Sequence, residues 1–180
     1  TVWSCGRNNK GQLGIGFSGG SRQTPVQVLG LSTATKVACQ DQGSFAFVTD
    51  GDLKVWGDDT KFQLFRSDGP IYSYTIVSPL SGEFYGDTPI AVTAAGPDCS
   101  IVVFTSGLLY AQGTRPSYSH DNVTGITSAT GVAASSSHTL ILRSNGTVLA
   151  IGDNSYGQLG INAAGGSRVT AVQVSGISTA

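Results

Sequence analysis

Short apolar runs of four to six residues recur along the chain, and each run ends at a turn. Residues 139–142, for example, precede the turn pair Asn145-Gly146, and a second apolar run follows at residues 148–151. Runs rich in Val, Ile, Phe and Thr that are separated by Asn-Gly, Asp-Gly or Ser-Gly predict β-strands joined by tight turns. No apolar stripe at helical spacing is sustained over ten residues, so the pattern predicts an all-β fold.

The pattern is periodic, because residues 1–34 and 147–180 are copies of each other. Both copies begin Thr-Val, and both contain a Gly-Gln-Leu-Gly-Ile segment followed by a Val-Gln-Val segment. Two more divergent copies lie between them. A repeat unit buries its apolar face against a neighbouring copy, so the periodicity favours binding or assembly over catalysis.

Each unit predicts four antiparallel strands: a small-residue strand such as 132–134, a bulky strand such as 139–142, a third strand and, after a long loop, a fourth. Small residues suit the crowded centre of a radial array, so each unit is interpreted as a β-propeller blade. We predict a single propeller-repeat domain of about 3.5 blades. Its predicted parts are a half blade of third and fourth strands at residues 1–35, a blade at 36–90, a blade with a short loop at 91–129 and a blade at 130–180.

The segment at residues 152–160, Gly-Asp-Asn-Ser-Tyr-Gly-Gln-Leu-Gly, and its counterpart at residues 6–14 resemble the signature of the regulator of chromosome condensation repeat. Residues 132–142 resemble its companion segment. The resemblance implies a propeller with about twice the blades present here. Either the chain is an excerpt of a longer propeller, or chains complete each other by exchanging strands. The residues that carry the resemblance are Gly6, Gly11, Gln12, Leu13, Gly14, Gly57, Gly113, His138, Gly152, Gly157, Gln158, Leu159 and Gly160.

Two of the loops depart from this signature. Phe62 and Phe65 stand where the first copy has Gly11 and Gly14, and no Gln-Leu-Gly follows Gly113. We expect both loops to have diverged, together with any role in binding a partner.

The composition changes the expected location and partners. Charged residues make up 12% of the chain, against about 25% in an ordinary soluble domain. The formal net charge of −1 comes without a basic cluster, which excludes a nucleic-acid interface, and no apolar run is long enough to span a membrane. Two glycosylation sequons begin at Asn122 and Asn145, and they predict N-linked glycans on an extracellular or cell-surface protein, with an intracellular location as the alternative.

Few side chains suggest chemistry. Cys5, Cys39 and Cys99 are too widely spaced for a metal site, and we interpret them as small buried apolar residues, with one disulfide and one free thiol as the alternative. His138 aligns with Gly43 and Cys99 in other copies, which indicates a structural position.

The remaining polar clusters also favour structural roles, so we predict no catalytic residue, no metal and no cofactor. His120 lies in a loop, and the carboxylates near residue 50 do not follow the order of a calcium loop. Aromatic residues in the long insertion of the second unit either contact a partner or pack the loop. These candidates are Tyr72, Tyr74, Phe84 and Tyr85.

The favoured interpretation is a non-catalytic, secreted or surface-displayed propeller that acts as a structural or protein-binding module. Its expected partner is another protein or further copies of itself, joined through open blade edges. One alternative follows from the family resemblance, because the member that gives the family its name is a guanine-nucleotide exchange factor for a small nuclear GTPase. The other alternative is a secreted enzyme inhibitor.

Overall fold

The computed structural model describes residues 1–61, 63–64, 72–77, 89–94, 99–113 and 126–178, and these residues form β-strands and turns. They divide into two compact units, Thr1–Gly86 and Asp87–Ala180. The strands are β1 (Trp3–Arg7), β2 (Ser21–Gln27), β3 (Ala34–Cys39), β4 (Gly43–Val48), β5 (Leu53–Asp58), β6 (Tyr72–Val77), β7 (Pro89–Ala94), β8 (Cys99–Phe104), β9 (Leu109–Gly113), β10 (Ala129–Ala134), β11 (His138–Arg143), β12 (Val148–Asp153) and β13 (Ser167–Gln173).

Within each sheet, strands that follow one another in sequence pair antiparallel. The first unit holds the two-stranded sheet β1-β2 and the four-stranded sheet β3-β4-β5-β6, and the second unit holds β7-β8-β9 and β10-β11-β12-β13. The prediction of an all-β fold built from four-stranded antiparallel units is confirmed. A fourth strand after β9 would fall in residues 114–125, outside the described part of the chain.

In each of the three blades that contain both strands, the second and third strands pair in the same register. Gly43 lies opposite Gly57, Cys99 opposite Gly113 and His138 opposite Gly152. The three third-strand glycines, which are the last or the second-last residue of the strand, have a positive φ between 112° and 123°. This backbone turn, which glycine adopts readily, directs the next N–H back to the residue just before the second strand. The Asp153 N–H, for example, donates to the Ser137 carbonyl at 2.9 Å.

Each unit has its own apolar core. In the first unit Val28, Leu31, Ala46, Val48 and Trp56 form one buried cluster. In the second unit β8 is buried along its whole length, and its side chains pack with those of β9, β11 and β12.

The interpretation of the three cysteines as buried residues holds only for Cys99. Cys5 and Cys39 are exposed, and all three thiols are free. Cys99 lies on β8, which has a strand on each side, whereas β1 pairs with β2 alone among the described strands. The described residues include no helix that is long and apolar enough to cross a membrane.

Candidate functional site: the loops after the third strands

The loop after β1 is held in shape by two of its own side chains. The Leu13 N–H donates to Asn8 Oδ1 at 3.0 Å, and Asn8 Nδ2 donates to the Phe17 carbonyl at 2.8 Å. The Lys10 N–H donates to Gln12 Oε1 at 2.9 Å. Asn8 is fully buried, and its side-chain amide forms the hydrogen bonds that these loop backbone groups need.

The loop after β12 repeats this arrangement. The Leu159 N–H donates to Asn154 Oδ1 at 3.0 Å, and the Tyr156 N–H donates to Gln158 Oε1 at 2.8 Å. Asn154 Nδ2 donates to the Ala163 carbonyl at 2.8 Å. The two copies of the sequence repeat therefore form loops with the same hydrogen bonds.

The loop after β5 keeps two of these hydrogen bonds in spite of its altered sequence. The Leu64 N–H donates to Asp59 Oδ1 at 2.8 Å, and the Lys61 N–H donates to Gln63 Oε1 at 2.8 Å. The carboxylate oxygen of Asp59 replaces the amide oxygen of Asn8, since both accept a hydrogen bond. The divergence expected from Phe62 and Phe65 does not reach these bonds, although both phenylalanines lie outside the described residues.

A tryptophan of the neighbouring blade fixes the loop after β1. Trp56 Nε1 and Ser44 Oγ both donate to the Gln12 carbonyl at 2.9 Å. A Cβ on Gly14 would lie 2.9 Å from Trp56 Nε1, so glycine is required for this close approach. The loop is thus attached to β4 and β5 as well as to its own strands.

The loop tips carry exposed and variable side chains on this fixed backbone. Tyr156 is 92% exposed, and Lys61, at the equivalent position of the loop after β5, is exposed as well. Lys10, the third equivalent, lies 3.9 Å from the Asp58 carboxylate. A rigid loop with a variable tip is a common way to build a protein-binding surface.

One carboxylate in these loops has a perturbed pKa. Ser155 Oγ donates to Asp153 Oδ1 at 2.6 Å, the Ser155 N–H donates to the same oxygen, and Gln158 Nε2 donates to Oδ2 at 2.9 Å. These bonds, led by that of the Ser155 hydroxyl, hold the pKa of Asp153 below its ordinary value of 3.8 because they favour the charged form.

The predicted partner-contact residues are only partly described. Tyr72 and Tyr74 belong to strand β6 rather than to an irregular insertion. This strand pairs with β5, with Tyr72 opposite Asp58 and Val77 opposite Val55. Phe84 and Tyr85 lie outside the described residues, as do His120 and Asn122. The sequon residue Asn145 is exposed in the turn before β12, where its Oδ1 accepts hydrogen bonds from Thr147.

His138 is the first residue of β11, next to a turn, and forms local contacts. Its Nδ1 is 2.9 Å from Ser135 Oγ, which also receives the His138 backbone N–H at 3.2 Å. The carboxylates near residue 50 accept turn hydrogen bonds, as when Asp50 Oδ1 accepts from the Asp52 N–H. No cluster of metal-binding side chains occurs in the part of the chain that the structure describes.

Family models for the regulator of chromosome condensation (RCC1) repeat match residues 1–47 and 129–158. The Ras guanine nucleotide exchange factor C of Dictyostelium discoideum is 31% identical over 181 residues, which cover 88% of this chain and 12% of that protein. The RCC2 homolog of Danio rerio is 30% identical over 114 residues, or 62% of this chain and 22% of that protein. The E3 ubiquitin-protein ligase HERC2 of Mus musculus is 31% identical over 88% of this chain and 4% of its own length.

Solved structures confirm the predicted β-propeller fold. Human WBSCR16 superposes with a TM-score of 0.74 at 19% identity, covering 97% of this chain and 48% of that one. Prp20p from Saccharomyces cerevisiae, described with its binding to Gsp1p and histones, superposes with a TM-score of 0.73 at 18% identity, covering 96% of this chain and 46% of that one. The chain thus spans about half of these propellers and less than a quarter of the curated relatives.

These matches correct the functional prediction. The interpretation as a secreted structural module is wrong, because the relatives include a protein named as a Ras exchange factor and an RCC2 homolog. The matches support the exchange-factor alternative instead. They give no support to an extracellular location, to N-linked glycans or to assembly with further copies of the chain.

Proposed function

Because the chain belongs to the regulator of chromosome condensation repeat family, we propose that it is part of a guanine-nucleotide exchange regulator of a small GTPase. One observation carries the proposal: the chain shares 31% identity with a Ras guanine nucleotide exchange factor over 88% of its length. In this proposal the chain is intracellular, where its GTPase partner would lie.

The anchored loops suit such a role. An exchange factor speeds nucleotide release by binding the nucleotide-free GTPase more tightly than the loaded form, and this needs no covalent chemistry. A rigid surface loses little conformational entropy when it binds, so more of the contact energy remains to discriminate between the two forms. Three buried side chains, Asn8, Asp59 and Asn154, supply this rigidity by accepting hydrogen bonds from the loop backbone.

The proposed GTPase contacts are the loop tips at Lys61 and Tyr156. Tyrosine supplies a large contact area with few rotatable bonds, and a lysine at a rim affects the association rate through its charge. Lys61 lies in the first unit and Tyr156 in the second, and each tip is proposed to contribute to GTPase binding separately.

The test measures release of a fluorescent GDP analogue from a Ras-type GTPase and from yeast Gsp1p, with excess GTP and increasing amounts of the 180-residue chain. We expect release from one of them to accelerate in proportion to the chain added. A parallel pull-down compares binding to the GDP-loaded and nucleotide-free GTPases, and we expect preference for the latter. No acceleration together with no binding to either form would overturn the proposal.

A further inference from the structure

The loop after β1 and the segment after β2 each expose a large apolar side chain. Phe17 is 47% exposed and Leu29 is 58% exposed. The Leu29 N–H donates to the Gly14 carbonyl at 2.9 Å, and the Leu29 Cδ1 lies 3.2 Å from where a Cβ on Gly16 would be. Since Gly16 comes directly before Phe17 in the chain, the two apolar side chains flank this glycine on the surface.

Arg22 of β2 adds a positive charge to this surface. Its guanidinium carbon lies 5.3 Å from the centre of the Phe17 ring, and its Nη1 donates to the Ser21 carbonyl at 3.0 Å. The cation–π contact with the ring holds the guanidinium in place, and a guanidinium carries further N–H groups that bind a carboxylate in parallel. Within the part of the chain that the structure describes, Arg22 forms no ion pair with a carboxylate.

The second copy of the repeat shows that the fold does not require these apolar side chains. Ala163 and Ser175 take the places of Phe17 and Leu29. The carbonyls of Phe17 and Ala163 each accept a hydrogen bond from an asparagine side chain at 2.8 Å. The N–H groups of Leu29 and Ser175 each donate to a loop glycine carbonyl, at 2.9 Å and 2.8 Å. The same backbone therefore forms with an alanine and a serine at these places.

The same comparison shows that both places face solvent in a blade whose four strands are all described. Ala163 and Ser175 are exposed although the complete sheet β10-β11-β12-β13 surrounds them and the strands β7, β8 and β9 belong to the same unit. The exposure of Phe17 and Leu29 therefore belongs to their position in a blade, and it does not depend on the two-stranded sheet to which they are attached.

We propose that Phe17, Leu29 and Arg22 form a docking surface for a short segment of a partner protein that carries an acidic residue beside a large apolar side chain. The carboxylate of the segment pairs with the Arg22 guanidinium, and its apolar side chain packs against Phe17 and Leu29. Charge complementarity selects this class of segment, because Arg22 repels a basic one. The surface includes neither Lys61 nor Tyr156, so the proposal does not depend on the GTPase.

The probe is a phage library of random linear peptides, selected on the immobilised 180-residue chain. A Phe17→Ala, Leu29→Ser double variant, which gives the first copy the residues of the second, removes peptides that bind elsewhere. We expect the remaining peptides to share an acidic residue beside a leucine, a phenylalanine or another large apolar residue. No enrichment over the starting library, or enrichment of basic or uncharged sequences, would overturn the proposal.

Fluorescence anisotropy with one selected peptide then tests each part of the surface. The double variant should bind about tenfold more weakly or worse, and Arg22→Gln about threefold to tenfold more weakly. Changing the acidic residue of the peptide to its amide should cause a similar loss with the original chain and no further loss with Arg22→Gln. Val169→Ser is the matched control, because Val169 is an exposed strand valine, at 53%, on β13. Equal binding by the double variant and the original chain, an equal loss in the control, or additive losses for the two charge changes would refute the docking surface.

The GTPase is the alternative occupant, and the double variant distinguishes it from a peptide segment. Because only exposed side chains are changed, the urea midpoint of the double variant should equal that of the original chain. We expect the double variant to bind the nucleotide-free GTPase as the original chain does. A loss of GTPase binding at an unchanged midpoint would place the GTPase on this surface and overturn its assignment to a separate segment. If no GTPase binds the chain at all, the peptide measurements decide the proposal by themselves.

Discussion

At the scale of single residues, the glycines near the ends of the third strands keep neighbouring strands in register. Gly57 has a φ of +112°, and a Cβ there would lie 2.9 Å from the Gly43 Cα and closer still to the Gln42 carbonyl oxygen. Gly6 has a similar φ of +105°, but a Cβ there would meet nothing within 4 Å. Comparing alanine substitutions at Gly6 and Gly57 therefore separates the cost of backbone strain from the cost of steric overlap.

We expect Gly6→Ala to lower the free energy of unfolding by about 1–2 kcal/mol, the cost of a left-handed alanine. Gly57→Ala should cost roughly 1–3 kcal/mol more, because the added methyl group also displaces β4. Urea unfolding of the two variants beside the original chain measures both effects. Equal losses would show that the contact with β4 is unimportant.

The Asp153 carboxylate gives a pH-dependent prediction. Its folded pKa lies below the ordinary value of 3.8, so its contribution to stability is present above pH 3.8 and is lost as the pH falls through the folded pKa. Ser155→Ala removes the leading cause and should raise the pKa of Asp153 more than Gln158→Leu does. NMR titration of the carboxyl carbon in both variants tests this order, and the reverse order would contradict the structural explanation.

At the scale of elements, the attachment of the loop after β1 to the next blade rests on two donors that share one acceptor. Trp56→Phe and Ser44→Ala each remove one hydrogen bond to the Gln12 carbonyl, and each should lower stability by about 0.5–1.5 kcal/mol. The double variant removes both donors from that carbonyl, so its loss should exceed the sum. Chemical denaturation of the four proteins completes the cycle, and strict additivity would show that the two bonds act independently.

Sequence patterns predicted the strands better than the loops between them. Apolar runs and Gly-containing turns repeat at fixed spacing, so the sequence alone aligns His138 with Gly43 and Cys99, as the strand register does. The loop after β5 was misjudged because glycine identity was taken as the signal. Its shape depends instead on an acceptor at residue 59 and a glutamine at residue 63, and Asp59 can replace asparagine in that role.

At the scale of the whole molecule, composition was a poor guide to function. Low charge and two sequons favoured a secreted protein, yet neither feature depends on what a propeller binds.

The proposed GTPase surface can be mapped with substitutions that leave the fold intact. Tyr156→Ala and Lys61→Glu change exposed tips and leave the backbone hydrogen bonds of Asn154 and Gln63 in place, so neither should alter the free energy of unfolding by more than about 0.5 kcal/mol. We expect each to weaken binding of the nucleotide-free GTPase about threefold to tenfold, since a contact tyrosine or a charge at an interface contributes on the order of 1 kcal/mol. Val169→Lys, on strand β13 rather than at a loop tip, is the control and should bind as the original chain does. If the control loses as much affinity as the tip variants, the GTPase does not engage the tips, even if exchange activity itself is observed.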